Sequence, residues 1–384
     1  MAAGRGPRCS TGYMSGSPDR GGSLTPRAVG RSILTAACLI GMARTAGAQD
    51  LRVRVLEAEL SIPVSGALVL LVDPEGRERN RGVTSEGGRV HLRALAAGSY
   101  RLRLLRIGYV AWESPLVEVG GETRDIEFQV ASRRVVLPDV IVVGRSLCGA
   151  RSTGDAATMA LWEEAQKAFG LARETVLRRR LRFRSVERIA DLDQDGRVTA
   201  ERAGLQPSGL TSWPVRAPAV ESLAAHGFVA QIENLIAGPT WYGPDPEVLL
   251  SEFFLESHCF RPVPPDSGTP AGWVGLGFEP VLDPHKPDIR GTIWVDRESA
   301  ELRRLDFSYA TLPSWAVHAV AGGRLEFARL PGGLWIVQLW TLRVPVPEVR
   351  PGNDRARLHG YQETRGWVEV VLSEQGQELA RFDP

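Results

Sequence analysis

The sequence predicts a mainly β protein: a β-sandwich first, then an α+β domain with one or two helices on a long, curved antiparallel sheet. Three observations predict it. Short runs of alternating apolar and polar residues, each closed by a turn, recur between residues 50 and 132. One long segment at 155–175 carries an apolar stripe at helical spacing instead. Alternation then resumes and persists almost to the last residue. The chain has 384 residues, 43% of them hydrophobic and 24% charged, a composition and length that suit two bodies burying their own cores. The expected organisation is a leader over 1–48, a sandwich over 50–132, a linker strand over 133–150 and the α+β domain over 151–384.

The leader has the pattern of an export signal. Formal net charge is +1, and the excess sits at the front, where Arg5, Arg8, Arg20, Arg27, Arg31 and Arg44 face the lone acid Asp19. The remainder is slightly acidic, so no nucleic-acid partner is expected. Arg27 and Arg31 precede the apolar run Ser32 to Ala43, and Ala46 and Ala48 form the A-x-A arrangement that a signal peptidase accepts. The run is too short to anchor in a bilayer, so cleavage after Ala48 leaves a mature chain with no transmembrane segment. Arg44 within the cleavage region departs from the pattern. Two other readings stay open: a buried apolar helix, and lipidation of Cys38, although Thr35 stands where lipoproteins usually carry Leu. Export places the protein in the periplasm, on the outer membrane or outside the cell.

Cysteine usage agrees with export. Cys9 and Cys38 leave with the leader, so Cys148 and Cys259 alone remain and are expected to pair. Closing a loop of roughly 110 residues contributes about 4–5 kcal/mol in the chain-entropy model. The alternative is two separately buried thiols. No Cys-x-x-Cys and no Cys/His cluster argues for zinc, so neither metal nor cofactor is expected.

In the front region, Leu51, Val53 and Val55 alternate with Arg52 and Arg54, the period of a half-buried strand. Ala67 to Val72 reads as a buried strand ended by the turn Asp73-Pro74-Glu75-Gly76. Strands are also expected at 89–92, 100–104, 112–119 and 126–130, at the spacing of an antiparallel sandwich. Pro63-Val64-Ser65-Gly66-Ala67-Leu68-Val69, then Thr84 to Leu92, Ala97-Gly98-Ser99-Tyr100-Arg101-Leu102 and Ile107-Gly108-Tyr109 together resemble the carboxypeptidase regulatory-like domain. Ser85-Glu86-Gly87-Gly88 and Ala97 depart from that family's usual acidic turn and proline. The resemblance implies a transthyretin- or immunoglobulin-like sandwich and an accessory, adhesive or sugar-binding role, and it implies no reaction. Tyr100 and Tyr109 are read as plugs of the sandwich ends. Trp112 is read as packing, with sugar stacking as the alternative.

Val135-Val136-Leu137-Pro138-Asp139-Val140-Ile141-Val142-Val143-Gly144 resembles the connector that follows this module in TonB-dependent outer-membrane receptors. About 240 residues follow here, too few for their barrel of about 22 strands. An accessory to such a transporter is therefore one reading of function.

In the back domain, Met159, Leu161, Trp162, Ala165 and Phe169 form the helix stripe, with Thr153 or Asp155 able to cap it. Glu163 and Glu164 read as its solvated face. Strands are expected from Leu181 and at 196–203, 256–262, 272–279, 289–296, 301–309, 323–329, 334–344 and 361–372, with short helices near 219–226 and 246–252. Gly291 to Leu302 resembles a hairpin of periplasmic lipoprotein-carrier sheets. That resemblance implies a concave face able to hold an apolar ligand, lined by Trp294, Trp335 and Trp340; core packing is the alternative for all three. A small membrane barrel fits poorly, since Arg and Glu occur on both strand faces.

Asp191-Leu192-Asp193-Gln194-Asp195-Gly196 opens like a calcium loop. Arg202 stands where the final bidentate acid belongs, so a hairpin turn is the better reading, with weak calcium binding by Asp191, Asp193 and Asp195 the residual one. The histidines at 91, 226, 258, 285, 318 and 359 never fall at ligand spacing. His258 abuts Cys259, yet no third group orients such a pair. No G-x-S-x-G, H-E-x-x-H or phosphate loop occurs. The expectation is a non-enzymatic exported envelope protein that binds a carbohydrate, an apolar ligand or another envelope protein. An unrecognised hydrolase is its rival.

Overall fold

The computed structural model describes residues 49–383, apart from 95, 132, 138–146, 149–155, 179–180, 210–212, 216, 231–237, 282–285 and 349–355. The signal peptide with Cys9 and Cys38, the connector from Pro138 to Gly144, the helix caps Thr153 and Asp155, and His285 all lie outside the described residues.

Alternation at the front becomes a two-layer sandwich. Its strands are β1 (Gln49–Glu57), β2 (Leu68–Val72), β3 (Glu78–Val83), β4 (Arg89–Ala94), β5 (Gly98–Leu105), β6 (Trp112–Glu113), β7 (Val117–Val119) and β8 (Arg124–Val130). One sheet runs β4-β1-β8, with β1 antiparallel to β4 but parallel to β8. The other runs β3-β2-β5-β6, and β7 also pairs with β5. Leu51, Val53 and Val55 turn inward onto Val69, Leu71, Leu92 and Leu102, while Arg52 between them is exposed. The Tyr100 hydroxyl donates to the Ala96 carbonyl at 2.9 Å, and Trp112 packs on Phe128. Strand β3 goes beyond the sequence expectation: Glu-Arg-Asn-Arg lacks alternation because, among the described residues, this edge strand pairs only with β2 and its first residues are exposed.

Next come β9 (Leu147–Cys148), the long helix α1 (Ala156–Arg178), β10 (Leu181–Leu192) and β11 (Val198–Gly209). A covering segment holds α2 (Val220–His226), β12 (Val229–Ala230), β13 (Thr240–Trp241), α3 (Pro246–Leu249) and α4 (Glu252–Ser257). Asp245 and Ser251 cap α3 and α4 by accepting from the Val248 and Phe254 amides. A meander follows: β14 (His258–Val263), β15 (Trp273–Pro280), β16 (Asp288–Asp296), β17 (Leu302–Ala310), a 3-10 turn (Ser314–Ala316), β18 (Gly322–Arg329), β19 (Trp335–Glu348), β20 (Arg357–Ser373) and β21 (Glu378–Arg381). The sheet order is β11-β10-β20-β19-β18-β17-β16-β15-β14-β9, with β21 beside β20, an 11-stranded antiparallel sheet. Register shifts at Arg184/Ser185, Trp294/Val295, Glu326/Phe327 and Val346/Pro347 mark bulges, where such sheets bend.

Four strand glycines each face an aromatic residue directly across the ladder: Gly275 and Trp294, Gly291 and Phe278, Gly323 and Phe307, Gly366 and Trp340. A Cβ at Gly275, Gly291 or Gly323 would stand 2.9, 2.8 or 2.7 Å from the facing ring, and at Gly366 closer still. The rings occupy the space where the side chain of any other residue would begin.

Helix α1 is buried on two sides. Toward the sheet, Trp162 meets Phe260 and Phe169 meets Phe327. Toward the sandwich, Gly170 lies against Leu68, and the core around α1 takes in Leu68 and Val83 of the sandwich. The segment 213–257 covers more of the same sheet face with Trp213, Phe228 and Phe254. The face expected to hold an apolar ligand is thus filled by core. Residues Ala46–Pro384 form one compact unit.

Candidate functional site

The turn after β5, Arg106-Ile107-Gly108-Tyr109, is gripped by α1. Spacing of three places Glu164 and Lys167 on one helix face. Glu164 Oε2 accepts from the Gly108 amide at 2.8 Å, and Lys167 Nζ donates to the Tyr109 carbonyl at 2.7 Å and to Glu164 Oε1. Both side chains are buried, Glu164 at 1% exposure and Lys167 at 3%. Burial pushes the Glu164 carboxyl up, a shift that Lys167 and the Gly108 amide oppose. This corrects the solvated reading of Glu164; Glu163 is exposed as expected. The helix has no free polar face at Glu164 because the sandwich sits on it.

Two glycines complete the joint. Gly66 and Gly333 both have positive φ, 67° and 83°, and a Cβ on Gly66 would lie 2.6 Å from the Gly333 Cα. A Cβ on Gly108 would meet the Ser299 carbonyl at 2.8 Å.

Beside this joint opens a cleft of about 460 Å³. One wall is sandwich, with Arg106, Tyr109 and Arg134; the other is the β16–β17 turn, with Asp296, Glu298 and Ser299. Leu171 of α1 and Trp335 of β19 also line it. Asp296 Oδ1 accepts from the Ser299 amide at 2.9 Å and its hydroxyl at 2.8 Å. Burial pushes the Asp296 carboxyl up, but those bonds and Arg303 outweigh it and hold the carboxyl below its ordinary value. Ala300, in the same turn, takes a left-handed φ of 57°, strain located where the turn meets Gly108.

Charge is distributed unequally over the two walls. Glu301 pairs with Arg303 at 3.1 Å and Arg329 at 3.4 Å, so the sheet side is largely neutralised. Arg106 lies 4.1 Å over the Tyr109 ring, and among the described residues neither it nor Arg134 has an ion-pair partner. Trp335 is 1% exposed, and among the described residues its Nε1 has no hydrogen-bond partner, a condition that costs about 1–3 kcal/mol. Sequence reasoning missed this cleft. The Ile-Gly-Tyr motif pointed to its location, but nothing local to the motif names Glu164, Lys167 or the hairpin turn as neighbours.

Strand pairing separates the three tryptophans expected to line one ligand surface. Trp335 and Trp340 share the face that packs on the core, and the extra residue Gln338 at the β18–β19 bulge lets them do so five positions apart. Trp294 points to the opposite face, where its Nε1 donates to Asp306 at 2.9 Å beneath Arg304. The three therefore do not line one surface.

Asp191 to Arg197 form the hairpin turn between β10 and β11. Asp193 Oδ1 accepts from the amides of Asp195 and Arg197, Arg197 pairs with Asp195 at 2.6 Å, and Arg202 pairs with Asp191 at 3.0 Å. Among the described residues no three His, Cys, Asp or Glu side chains stand together as metal ligands.

His258 is fully buried and stacked on Phe254. Its Nε2 is 3.0 Å from the Ile289 carbonyl, and its Nδ1 is 3.1 Å from the Phe254 carbonyl. Cys259, next along β14, faces the other side of the strand, so the two do not meet as nucleophile and base. The β9–β14 ladder sets Cys259 directly opposite Cys148.

Residues 50–131 match the carboxypeptidase regulatory-like domain family, and the sandwich is a domain of that kind. No curated protein matches the chain. Among solved structures, the minor pilin GBS52 of Streptococcus agalactiae aligns at 16% identity over 25% of this chain and 48% of the pilin, with a TM-score of 0.20. The Bacillus anthracis TIE protein aligns at 17% identity over 41% of this chain and 24% of its own, with a TM-score of 0.20. A candidate carbohydrate-binding protein of Bacteroides uniformis aligns at 8% identity over 84% of this chain and 98% of its own, with a TM-score of 0.19. The chain thus spans about half of that pilin, and TM-scores this low define no shared fold. Among the described residues no helix is long and apolar enough to cross a membrane.

Proposed function

We propose that this chain is a non-enzymatic, exported protein of a bacterial envelope that binds a ligand between its sandwich and its sheet. One observation carries the reading: the cleft draws its walls from both halves, and buried hydrogen bonds from Glu164 and Lys167 to the Gly108 amide and the Tyr109 carbonyl hold those halves together. Junctions of this kind are where ligand sites concentrate. A non-catalytic role is supported by the orientation of His258 away from Cys259. Export is supported by the leader pattern and by the register of Cys148 and Cys259, which we propose form a disulfide. Directly opposed residues in an antiparallel pair have Cα atoms about 4.5 or 5.5 Å apart, within the span of about 4.4–6.8 Å that a disulfide bridges.

The test follows the Trp335 indole N–H resonance in the exported protein, assigned through Trp335→Phe, against a panel of saccharides, fatty acids and peptides. Perturbation by a panel member supports the cleft as the ligand site. A resonance unmoved by the whole panel overturns it. Intact mass of protein from the envelope fraction tests the rest, with cleavage after Ala48 and a mass short by two hydrogens expected. A second reading, accessory to a TonB-dependent transporter, is favoured by the connector-like segment from Val135 to Gly144 and is tested by co-purification with a barrel protein.

A further inference from the structure

We infer that the cleft recognises a carboxylate-bearing saccharide, through Arg106 and Arg134 on the sandwich wall and Glu298 and Ser299 on the hairpin wall. This rests on the reading of the cleft as the ligand site and names its ligand class.

The anionic part of the ligand follows from the imbalance between the walls. Arg303 and Arg329 already face Glu301, whereas Arg106 and Arg134 are un-neutralised among the described residues. Arg106 is held in place by its stack over Tyr109, and Arg134 is tied to the same residue by a backbone bridge between 109 and 134. One guanidinium is thereby fixed on the tyrosine ring and the backbone of a second arginine is fixed beside it, an arrangement suited to the flat fork of a carboxylate. The saccharide part follows from the rest of the lining. Glu298 supplies a carboxylate without an ion-pair partner among the described residues, and Ser299, whose hydroxyl proton goes to Asp296, supplies an oxygen; both suit accepting from sugar hydroxyls. Trp335 adds an indole with an unsatisfied buried donor. Leu171 and Ile107 are the aliphatic residues of the lining, too little apolar wall to hold a lipid chain.

The experiment titrates the intact exported protein with a galacturonic-acid trimer, with its neutral galactose counterpart and with inorganic phosphate. Affinity is read by calorimetry and the site by the Trp335 indole resonance. The expected result is that the acidic trimer moves the resonance and binds at least tenfold tighter than the neutral one. Arg106→Ala and Arg134→Ala should each weaken it roughly tenfold. Arg52→Ala, on the far sheet of the sandwich, should leave it unchanged. If neutral and acidic trimers bind alike and the arginine variants bind normally, the charge recognition falls while the cleft still stands as a ligand site. Phosphate matching the trimer would reduce the site to a generic anion pocket and overturn the saccharide assignment. If no probe moves the resonance, the saccharide assignment falls outright; a fatty acid or peptide that moves it in the wider panel would then preserve the cleft alone.

Discussion

Lys167, in the middle of helix α1, donates to the backbone carbonyl of Tyr109 at 2.7 Å, so a helix outside the sandwich closes a turn within it. Its partner Glu164 takes the neighbouring amide of Gly108. Lys167→Met leaves Glu164 buried beside no cation and should cost about 3–5 kcal/mol in urea unfolding. Adding Glu164→Gln should recover much of that, because the amide still accepts from Gly108 and carries no charge. The sign with pH is fixed: a carboxyl raised above its ordinary 4.5 contributes stability below that pH, lost as pH rises through its folded value. Lys167→Met should steepen this loss; a pH-independent deficit would contradict the assignment.

Asp73 works in the opposite direction. Burial raises its carboxyl, but the Arg77 amide and the Arg79 and Arg77 guanidinium groups outweigh that and hold it at about 2. A depressed carboxyl contributes stability above its unfolded value of 3.8, lost as pH falls from there through about 2. Asp73→Asn should lower the melting temperature at neutral pH and flatten its dependence on pH across that window. An unaltered acid slope would show that the turn does not depend on this charge.

Gly366 lies under the Trp340 ring. Gly366→Ala should force the indole off the backbone and cost about 1–3 kcal/mol, with a shift in tryptophan emission. Wild-type stability and emission would mean that the ring has room to spare.

For the cysteines, Cys148→Ser combined with Cys259→Ser should lower stability by about 4–5 kcal/mol in the chain-entropy model. Reductant should lower the stability of the wild type and leave the double variant unaffected. Equal sensitivity of both would remove the disulfide from the account.

Much of this architecture was legible because burial on one face writes itself as alternation. The strands from β14 to β20 fall close to where period two placed them, and Ile107-Gly108-Tyr109 carries the family signature in three consecutive residues. Face and partner were not legible. Glu164 reads as a solvated helix residue because sequence spacing shows which residues share a face and not what covers it. The tryptophans illustrate the other limit: Trp335 and Trp340, an odd number of positions apart, share a face only because Gln338 is an extra residue in the ladder. Alternation counted along the chain cannot reveal such a bulge, since it is defined by the neighbouring strand.

The insertion of Leu68 and Val83 into the core around α1 changes what kind of part the sandwich is. A self-contained module can be shuffled between proteins as a cassette. Here an excised cassette would carry a greasy scar where the helix had been, and the remainder would lose the lid over one side of its longest helix. The sandwich still buries a core of its own around Leu51, Leu71 and Leu102, so separation would strip cover from Leu68, Val83 and one flank of α1 without removing that inner core.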